Sequence, residues 1–330
     1  MRKLLALCAF GLAASVQAQV SWTQLTSMPT PRAQTAATID ASGKVYVIGG
    51  YTSSSGSALN TVEIYDSATN TWSTGPSLLA PTRGASAVFL NNSVYVFGGF
   101  DSSQSAIYQV LNLATNTWTQ GVFSAGGWEG AAAVANGRIF VLGGENSPTA
   151  ANEFLPASGT FTSLTSLTTG AFGSTAAAVG NQVYLIGGGG YSPANTRLDV
   201  YDLTTGTWST TPADDATALT QHASVSVGPY LYVLGGSSSA NNNFSPYYSA
   251  VRIYDTDSGL WSSGPALPFG VREASAVFTG SQILLLGGFN NQGAPSGQVL
   301  AFAVPEPSTY ALLVLGGGLL ALAARRRLKR

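Results

Sequence analysis

The stretch Val94-Tyr95-Val96-Phe97-Gly98-Gly99 is an apolar strand that ends in two glycines, and this pattern occurs six times along the chain. The first glycine of each pair is Gly49, Gly98, Gly143, Gly187, Gly235 and Gly287. The intervals of 49, 45, 44, 48 and 52 residues vary as loop insertions on a constant scaffold would vary. The sequence therefore predicts six copies of one structural unit.

Each unit carries three further markers that predict four strands. An aromatic residue precedes each Gly-Gly by 25 to 27 residues, and these residues are Trp22, Trp72, Trp118, Phe161, Trp208 and Trp261. A run of small residues such as Ala85–Phe89 precedes the Gly-Gly strand, and a strand such as Val62–Asp66 follows it. Four strands per unit without helical periodicity are typical of a propeller blade, and we expect the Trp side chains to pack between blades.

The two ends of the repeat array predict how the ring closes. Trp22 has no preceding strands of its own unit, and the last strand, Val299–Phe302, has no Trp after it. We therefore expect Val20–Gln24 to supply the outermost strand of the last blade, which removes the open sheet edge. The predicted fold is all-β: a six-bladed β-propeller with four antiparallel strands per blade.

The Gly-Gly strand, the Tyr-Asp strand and the Trp together closely resemble the Kelch repeat, over Val20 to Phe302. The fourth unit is the loosest match, because Phe161 replaces Trp and Phe154-Leu155 stands where Tyr-Asp is expected. The resemblance implies a Kelch-type propeller, a family in which side chains at the start of the innermost strand often line the mouth of the channel.

Both ends of the chain look like sorting segments. Residues 1–18 have the basic start, apolar run and small residues before the cleavage point of a secretory signal peptide. Residues 304–330 contain Pro305-Glu306-Pro307, an apolar run and five basic residues, and resemble the PEP-CTERM signal of Gram-negative bacteria. That resemblance implies processing by the membrane protease exosortase, transient anchoring in the inner membrane through a C-terminal helix, and final location at the cell surface or in the extracellular matrix. A plain C-terminal anchor is the alternative. The propeller is predicted to be residues 19–303.

Composition excludes several classes of function. Only 9 % of the 330 residues are charged, and residues 19–303 keep seven basic and 14 acidic side chains, a net charge near −7. A basic surface for nucleic acid is therefore not expected. With one His, and with Cys8 inside the signal segment, we predict no metal site and no cofactor, and the copper chemistry of a larger Kelch relative is excluded.

The candidate ligand-binding residues come from aligning the starts of the six inner strands. They are Arg32, Arg83, Trp128, Glu129, Phe172, His222, Arg272 and Glu273. In one interpretation the guanidinium groups and aromatic faces bind a polar ligand such as a sugar. In the other, the arginines pair with Glu129, Glu273 or loop carbonyls and only hold the ring together.

Three functions remain open. The sequence favours an exported, non-catalytic binding or scaffold protein of the cell surface or exopolysaccharide matrix, with a polysaccharide or another surface protein as partner. No catalytic motif is present, so no catalytic residue is predicted. The alternative is a carbohydrate-active enzyme resembling the Kelch-fold sialic acid epimerases, with acid and base drawn from Glu129, Glu273 and His222. A purely structural matrix protein is the third.

Overall fold

The chain folds as a ring of six four-stranded antiparallel sheets. The computed structural model describes residues 21–52, 56–101, 107–123, 127–188, 197–212, 219–238 and 247–304. Within these residues lie 24 strands, four in each sheet. The innermost strand of each sheet contacts the innermost strands of both neighbouring sheets, so the sheets surround one axis as the blades of a propeller. The predicted six-bladed propeller is confirmed.

Within each blade the strands follow the chain from the axis outward. Blade 1 comprises β2 (Ala36–Ile39), β3 (Lys44–Ile48), β4 (Val62–Asp66) and β5 (Thr71–Thr74). Blade 2 comprises β6 (Ser86–Leu90), β7 (Ser93–Phe97), β8 (Ile107–Asn112) and β9 (Thr117–Val122). Blade 3 comprises β10 (Ala131–Ala135), β11 (Arg138–Leu142), β12 (Ala151–Leu155) and β13 (Thr160–Ser163). Blade 4 comprises β14 (Thr175–Val179), β15 (Gln182–Ile186), β16 (Arg197–Asp202) and β17 (Thr207–Pro212). Blade 5 comprises β18 (Ala223–Val227), β19 (Tyr230–Leu234), β20 (Val251–Asp255) and β21 (Leu260–Ser263).

Blade 6 joins the two ends of the chain. Its inner three strands are β22 (Ser275–Phe278), β23 (Gln282–Leu286) and β24 (Val299–Ala303), and its outer strand is β1 (Thr23–Gln24). Thr23 lies opposite Ala301 in the antiparallel register. The Trp22 ring packs 5.3 Å from the ring of Phe302. The N-terminal strand therefore completes the last blade, as the unmatched Trp22 predicted.

The Gly-Gly pairs lie where neighbouring blades approach most closely. The first glycine of every pair has φ between +59° and +65°, a conformation that glycine adopts without strain. A Cβ at Gly187 would lie only 2.3 Å from the Leu219 carbonyl oxygen of blade 5. The N–H of Gly188 donates to the same carbonyl at 2.8 Å. The paired glycines therefore allow backbone hydrogen bonds between blades near the axis.

The repeated Trp residues join the outer parts of the blades. The indole Nε1 of Trp72 donates to the carbonyl of Thr26, between blades 6 and 1, at 2.9 Å. Trp118 of blade 2 donates in the same way to Pro76, which follows blade 1, at 2.8 Å. These hydrogen bonds satisfy two partly shielded indole N–H groups and help to hold the rings in place. They place the side chains between blades, as the sequence analysis expected.

The structure does not describe the two predicted sorting segments, apart from Val304. The signal segment 1–18 and residues 305–330 of the tail lie outside the described residues. Within the described part of the chain, the structure contains no helix with the length and apolarity needed to cross a bilayer. The propeller strands end at Ala303, directly before the segment predicted as the tail.

Candidate ligand-binding site

Six equivalent residues at the starts of the inner strands form a ring around the axis. They are Gln34, Gly84, Glu129, Gly173, Gln221 and Glu273, and we call them the axial ring. The backbone N–H of each donates to the carbonyl of the ring residue in the preceding blade, at 2.7–3.1 Å. All six have positive φ, between 53° and 70°. This closed hydrogen-bonded ring maintains a conformation that non-glycine residues rarely adopt.

A cavity of about 210 Å³ runs along the axis inside this ring. Its walls are the axial ring and the next three residues of each inner segment, of which most are Ala, Ser, Thr or Gly. These side chains are too short to fill the space between six inner strands, so the channel stays open. The longer side chains of the axial ring are the groups that give the cavity its chemistry.

The four non-glycine side chains of the axial ring and Arg272 form one hydrogen-bonded network. Gln34 and Gln221 each donate from Nε2 to Oε1 of Glu129, both at 3.1 Å. Arg272 donates to Oε1 of Gln221 at 3.1 Å and also to Glu273. The network therefore crosses the axis between residues almost a hundred positions apart in the sequence.

Both carboxyl groups of the network, those of Glu129 and Glu273, have raised pKa values. Burial, together with the nearby Glu273 carboxylate, raises the pKa of Glu129 to about 8, although the Gln221 hydrogen bond opposes the change. Burial also raises the pKa of Glu273 to about 7, against the opposing effect of Arg272. Two carboxylates that share one buried site disfavour simultaneous ionisation. The axial ring therefore keeps protons near neutral pH.

These raised pKa values predict that the contribution of the two carboxyl groups to stability falls as pH rises from about 4.5, where the unfolded chain loses their protons, to about 8, where the folded protein loses them. Both folded-state pKa values lie above the ordinary Glu value of 4.5, so the folded protein holds protons that the unfolded chain has lost. Each proton that the folded protein holds and the unfolded chain has lost contributes a slope of about 1.4 kcal/mol per pH unit. Urea unfolding in metal-free buffer across this range should show the decline, and Glu129→Gln should reduce it. A stability that is constant or rises over this range, equally in both proteins, would contradict the assignment.

Arg32 does not face the channel, and its place among the ligand candidates is a correction. The side chain is fully buried, donates from Nη2 to Glu63 Oε2 at 2.7 Å, and donates from Nη1 to the carbonyl of Gly49 at 2.7 Å. Ala33 pairs with Tyr51 as Arg83 pairs with Phe100, so Ala33 is the equivalent of Arg83. The alignment was one residue out of register, and such a slip turns a side chain to the other face of an extended segment.

His222 is displaced by two residues in the opposite direction, since Thr220 pairs with Ser237 as Arg83 pairs with Phe100. It follows the axial-ring residue Gln221, and its Nε2 lies 2.8 Å from Oγ1 of Thr175 in blade 4. Burial lowers the pKa of His222 to about 3, with a smaller contribution from Arg252. The imidazole lines the cavity as a neutral group. It therefore cannot supply the positive charge that a cationic ring would need at neutral pH.

Arg83 lies at the mouth among three aromatic rings. Its guanidinium carbon is 4.9 Å from the ring centroid of Tyr51, 5.3 Å from that of Phe100 and 5.9 Å from that of Trp128. Arg83 is partly exposed, and the described residues offer it no carboxylate within 4 Å. We call Arg83, Tyr51, Phe100 and Trp128 the Arg83 site.

The glycine of the axial ring in blade 2 makes room for this arrangement. A Cβ at Gly84 would lie 2.2 Å from Cδ1 of Trp128, so the indole lies directly against the backbone there. Phe100 is 38 % exposed and its ring centroid is 6.2 Å from that of Trp128. Phe172 is buried and packs edge-on against Trp128 at 5.5 Å. Phe172 therefore supports the site from behind.

Arg272 has the equivalent position in blade 6 but a different environment. It is 5 % exposed, and its guanidinium carbon stacks 4.4 Å from the ring centroid of Phe289 and 5.1 Å from that of Tyr247. Its hydrogen bonds to Glu273 and Gln221 make it part of the axial network. Of the three predicted arginines, Arg83 alone is partly exposed and has no carboxylate of the described residues within 4 Å.

Sequence reasoning did not single out several residues of this region. Gln34 and Gln221 were not candidates, although in five units the axial-ring residue stands 14 positions before the first glycine. Blade 1 has one residue more in this interval, which concealed the spacing. Tyr51, Phe100 and Phe289 directly follow a Gly-Gly pair, and that shared position could have identified them.

Comparisons with known proteins agree with this architecture. Residues 14–156 match the KLHDC2/KLHL20/DRC7 Kelch-repeats domain, and residues 171–213 and 218–268 match the Kelch motif. The chain is a Kelch-repeat protein. Residues 303–327 match the PEP-CTERM protein-sorting motif, which indicates export and membrane-associated sorting in Gram-negative bacteria. The resemblances to the Kelch repeat and to PEP-CTERM are both confirmed.

Two similar proteins match most of this chain but only about half of their own length. Kelch-like protein 35 of Mus musculus is 25 % identical over 82 % of this chain, which spans 46 % of the mouse protein. Kelch-like protein terF of Aspergillus terreus is 27 % identical over 72 % of this chain and 57 % of its own length. The solved structure of YjhT superposes with a TM-score of 0.71 at 17 % identity, covering 86 % of this Kelch chain and 98 % of YjhT. The chain thus spans about half the length of these curated relatives, and the likeness to YjhT is one of fold.

Proposed function

We propose that this exported Kelch propeller is a non-catalytic binding protein that holds a carboxylate-bearing unit of a surface or matrix polysaccharide at the Arg83 site. The observation that supports the proposal is the environment of Arg83, a partly exposed guanidinium among three aromatic rings, with no carboxylate of the described residues within 4 Å. A guanidinium at such a site has its planar donors available for an acidic ligand.

The rings around Arg83 suit a sugar as well as a charge. Phe100 and Trp128 are both partly exposed beside the guanidinium. Their apolar faces would pack against the C–H faces of a pyranose ring, while Arg83 would pair with its carboxylate. Burial of the other faces keeps the rings in one orientation, so binding would cost little side-chain entropy.

Export fits this proposal. The PEP-CTERM match places the protein among chains that are sorted at the membrane, where a polysaccharide or another surface protein is an available partner. We further propose that an exosortase-type enzyme processes residues 304–330, that the apolar run in this tail anchors the chain transiently, and that residues 1–18 are removed as a signal peptide. The final location would be the cell surface or the extracellular matrix.

A second candidate function rests on the axial carboxyl groups. Glu129 and Glu273 line the cavity, and burial raises their pKa values to about 8 and about 7, within the range useful for general acid–base chemistry. A carbohydrate-active enzyme of the epimerase kind would use such a pair. The neutral His222 would not contribute a proton, since its pKa is lowered to about 3. Loss of turnover in Glu129→Gln, with binding retained, would favour this candidate.

We expect the full-length protein, purified in mild detergent, to select acidic glycans on a glycan array over neutral glycans of the same backbone. The reason is that the guanidinium of Arg83 can form a bidentate ion pair with a carboxylate, whereas a neutral sugar offers it only hydroxyl and ring oxygens as acceptors. Added salt should weaken this selection because the site is partly exposed. Equal binding of acidic and neutral glycans would contradict the proposal. Binding to no glycan would also contradict it and would favour a surface protein as the partner.

A further inference from the structure

The two ends of the described chain lie side by side on blade 6. β1 and β24 pair antiparallel, and the Trp22 ring packs 5.3 Å from the ring of Phe302. Val304 is the last described residue, and its N–H donates to the carbonyl of Ser281 at 3.1 Å. Both predicted sorting segments are therefore connected to the propeller close to one point.

This point lies at the end of blade 6 that is away from the mouth. β23 ends at Leu286, directly before the Gly-Gly pair near the axial ring, and β24 runs back from there to Ala303. In every blade the inner strand starts at the axial ring, so the turn between the first and second strands lies at the end away from Arg83. We call the face formed by these turns, and by the turns between the third and fourth strands, the far face.

The sequence between the propeller and the apolar run of the tail is short. The run starts at Tyr310, and the six residues that lead to it from Val304 span at most about 22 Å when fully extended. The five residues of β23 account for about 17 Å of the height of blade 6, and the turn Asn290–Ala294 adds to this height at the mouth. A chain anchored through the run would need its whole reach to turn the mouth towards the bilayer, and it would need none of that reach to keep the far face there.

We propose that, while the tail anchors the chain, the far face of the propeller lies towards the membrane surface and the Arg83 site points away from it. This inference rests on the proposed function in one respect, the anchoring of the chain by its apolar tail. The PEP-CTERM match, which indicates membrane-associated sorting, supports that anchoring. It follows that the Arg83 site is accessible to a surface or matrix polysaccharide before the tail is processed.

Turns with acidic side chains on the far face would lie against lipid headgroups without adhering to them. Asp66, Asp202 and Asp255 each accept hydrogen bonds from the backbone N–H groups two and three residues further on, in exposed turns. Anionic headgroups would repel these carboxylates. The tail, and not adhesion of the far face, would therefore hold the propeller at the membrane.

Fluorescence quenching by lipid measures this orientation in the full-length chain. Cys8→Ser removes the one cysteine of the sequence, so a cysteine introduced elsewhere can carry a small fluorophore. The labelled chain is inserted into phosphatidylcholine vesicles in which a fraction of the headgroups carry a nitroxide, which quenches only nearby fluorophores. Exposed positions in two opposite blades give matched pairs: Ser281→Cys on the far face and Gln292→Cys at the mouth of blade 6, and Ala157→Cys on the far face and Thr149→Cys at the mouth of blade 3.

In both blades we expect the label on the far face to lose most of its fluorescence and the label at the mouth to keep most of its own. Equal or stronger quenching at the mouth would overturn the proposed orientation. Quenching of both blade 6 labels and of neither blade 3 label would also overturn it, because the propeller would then stand on its edge. Failure of the chain to associate with the vesicles would overturn the anchoring and this orientation with it. None of these results depends on glycan binding at Arg83, which the glycan array tests separately.

Discussion

Arg32→Ala is expected to lower the free energy of unfolding by about 3–5 kcal/mol. Arg32 is fully buried between blades and its ion pair with Glu63 has an Nη2–Oε2 distance of 2.7 Å. Removing the guanidinium would leave the Glu63 carboxylate buried with Thr30 as its remaining described hydrogen-bond donor. It would also remove the donor to the carbonyl of Gly49, at the point where blade 1 approaches the axis. Urea unfolding followed by circular dichroism measures the loss.

Arg138→Ala is the matched control for this prediction. Arg138 also pairs with a glutamate, Glu153, but its side chain is 38 % exposed. An exposed pair contributes at most about 1 kcal/mol, so this variant should lose far less stability. The double variant Arg32→Met with Glu63→Leu should recover much of the loss, because no buried charge remains unpaired. Equal losses in Arg32→Ala and Arg138→Ala would show that the Arg32 pair is not a buried structural contact.

The propeller could be predicted from sequence because its determinants are local and repeated. Each Gly-Gly pair marks a close approach between blades that leaves no room for a side chain, so it appears in every unit. Trp22 revealed the closure because, of the six repeat aromatic residues, it is the one that no strands of its own unit precede. Repeat patterns of this kind can be recognised by counting residues along the chain.

The site was predicted less well because it depends on the exact alignment of the six inner strands and on contacts between residues on different blades. A Pro-Thr pair stands shortly before both Arg32 and Arg83, and this similarity aligned them although the structure sets Arg32 one residue earlier. The contact between Gln34 and Glu129 joins residues 95 positions apart and depends on ring geometry that no single repeat encodes. The burial of Glu129 and Glu273 beside each other, which raises both pKa values, was therefore beyond sequence reasoning.

Arg83→Ala is expected to weaken the binding of an acidic glycan by about 10- to 100-fold while leaving Tm nearly unchanged. A hydrogen bond to a charged group contributes about 1.5–3 kcal/mol, and the partly exposed Arg83 has no described ion pair whose loss would destabilise the fold. Arg83→Lys should retain only part of the affinity, because an ammonium lacks the planar pair of donors. Lys44→Ala serves as the control, since it removes an exposed positive charge at the start of β3.

The most direct test of the proposed function is the dissociation constant of the strongest acidic glycan for three forms of the full-length chain: wild type, Arg83→Ala and Lys44→Ala. Titration calorimetry at one salt concentration gives the comparison. A site at Arg83 predicts that Arg83→Ala binds at least about tenfold more weakly than wild type, with Lys44→Ala unchanged. The same dissociation constant in all three proteins would contradict the account and would place the ligand elsewhere on the propeller.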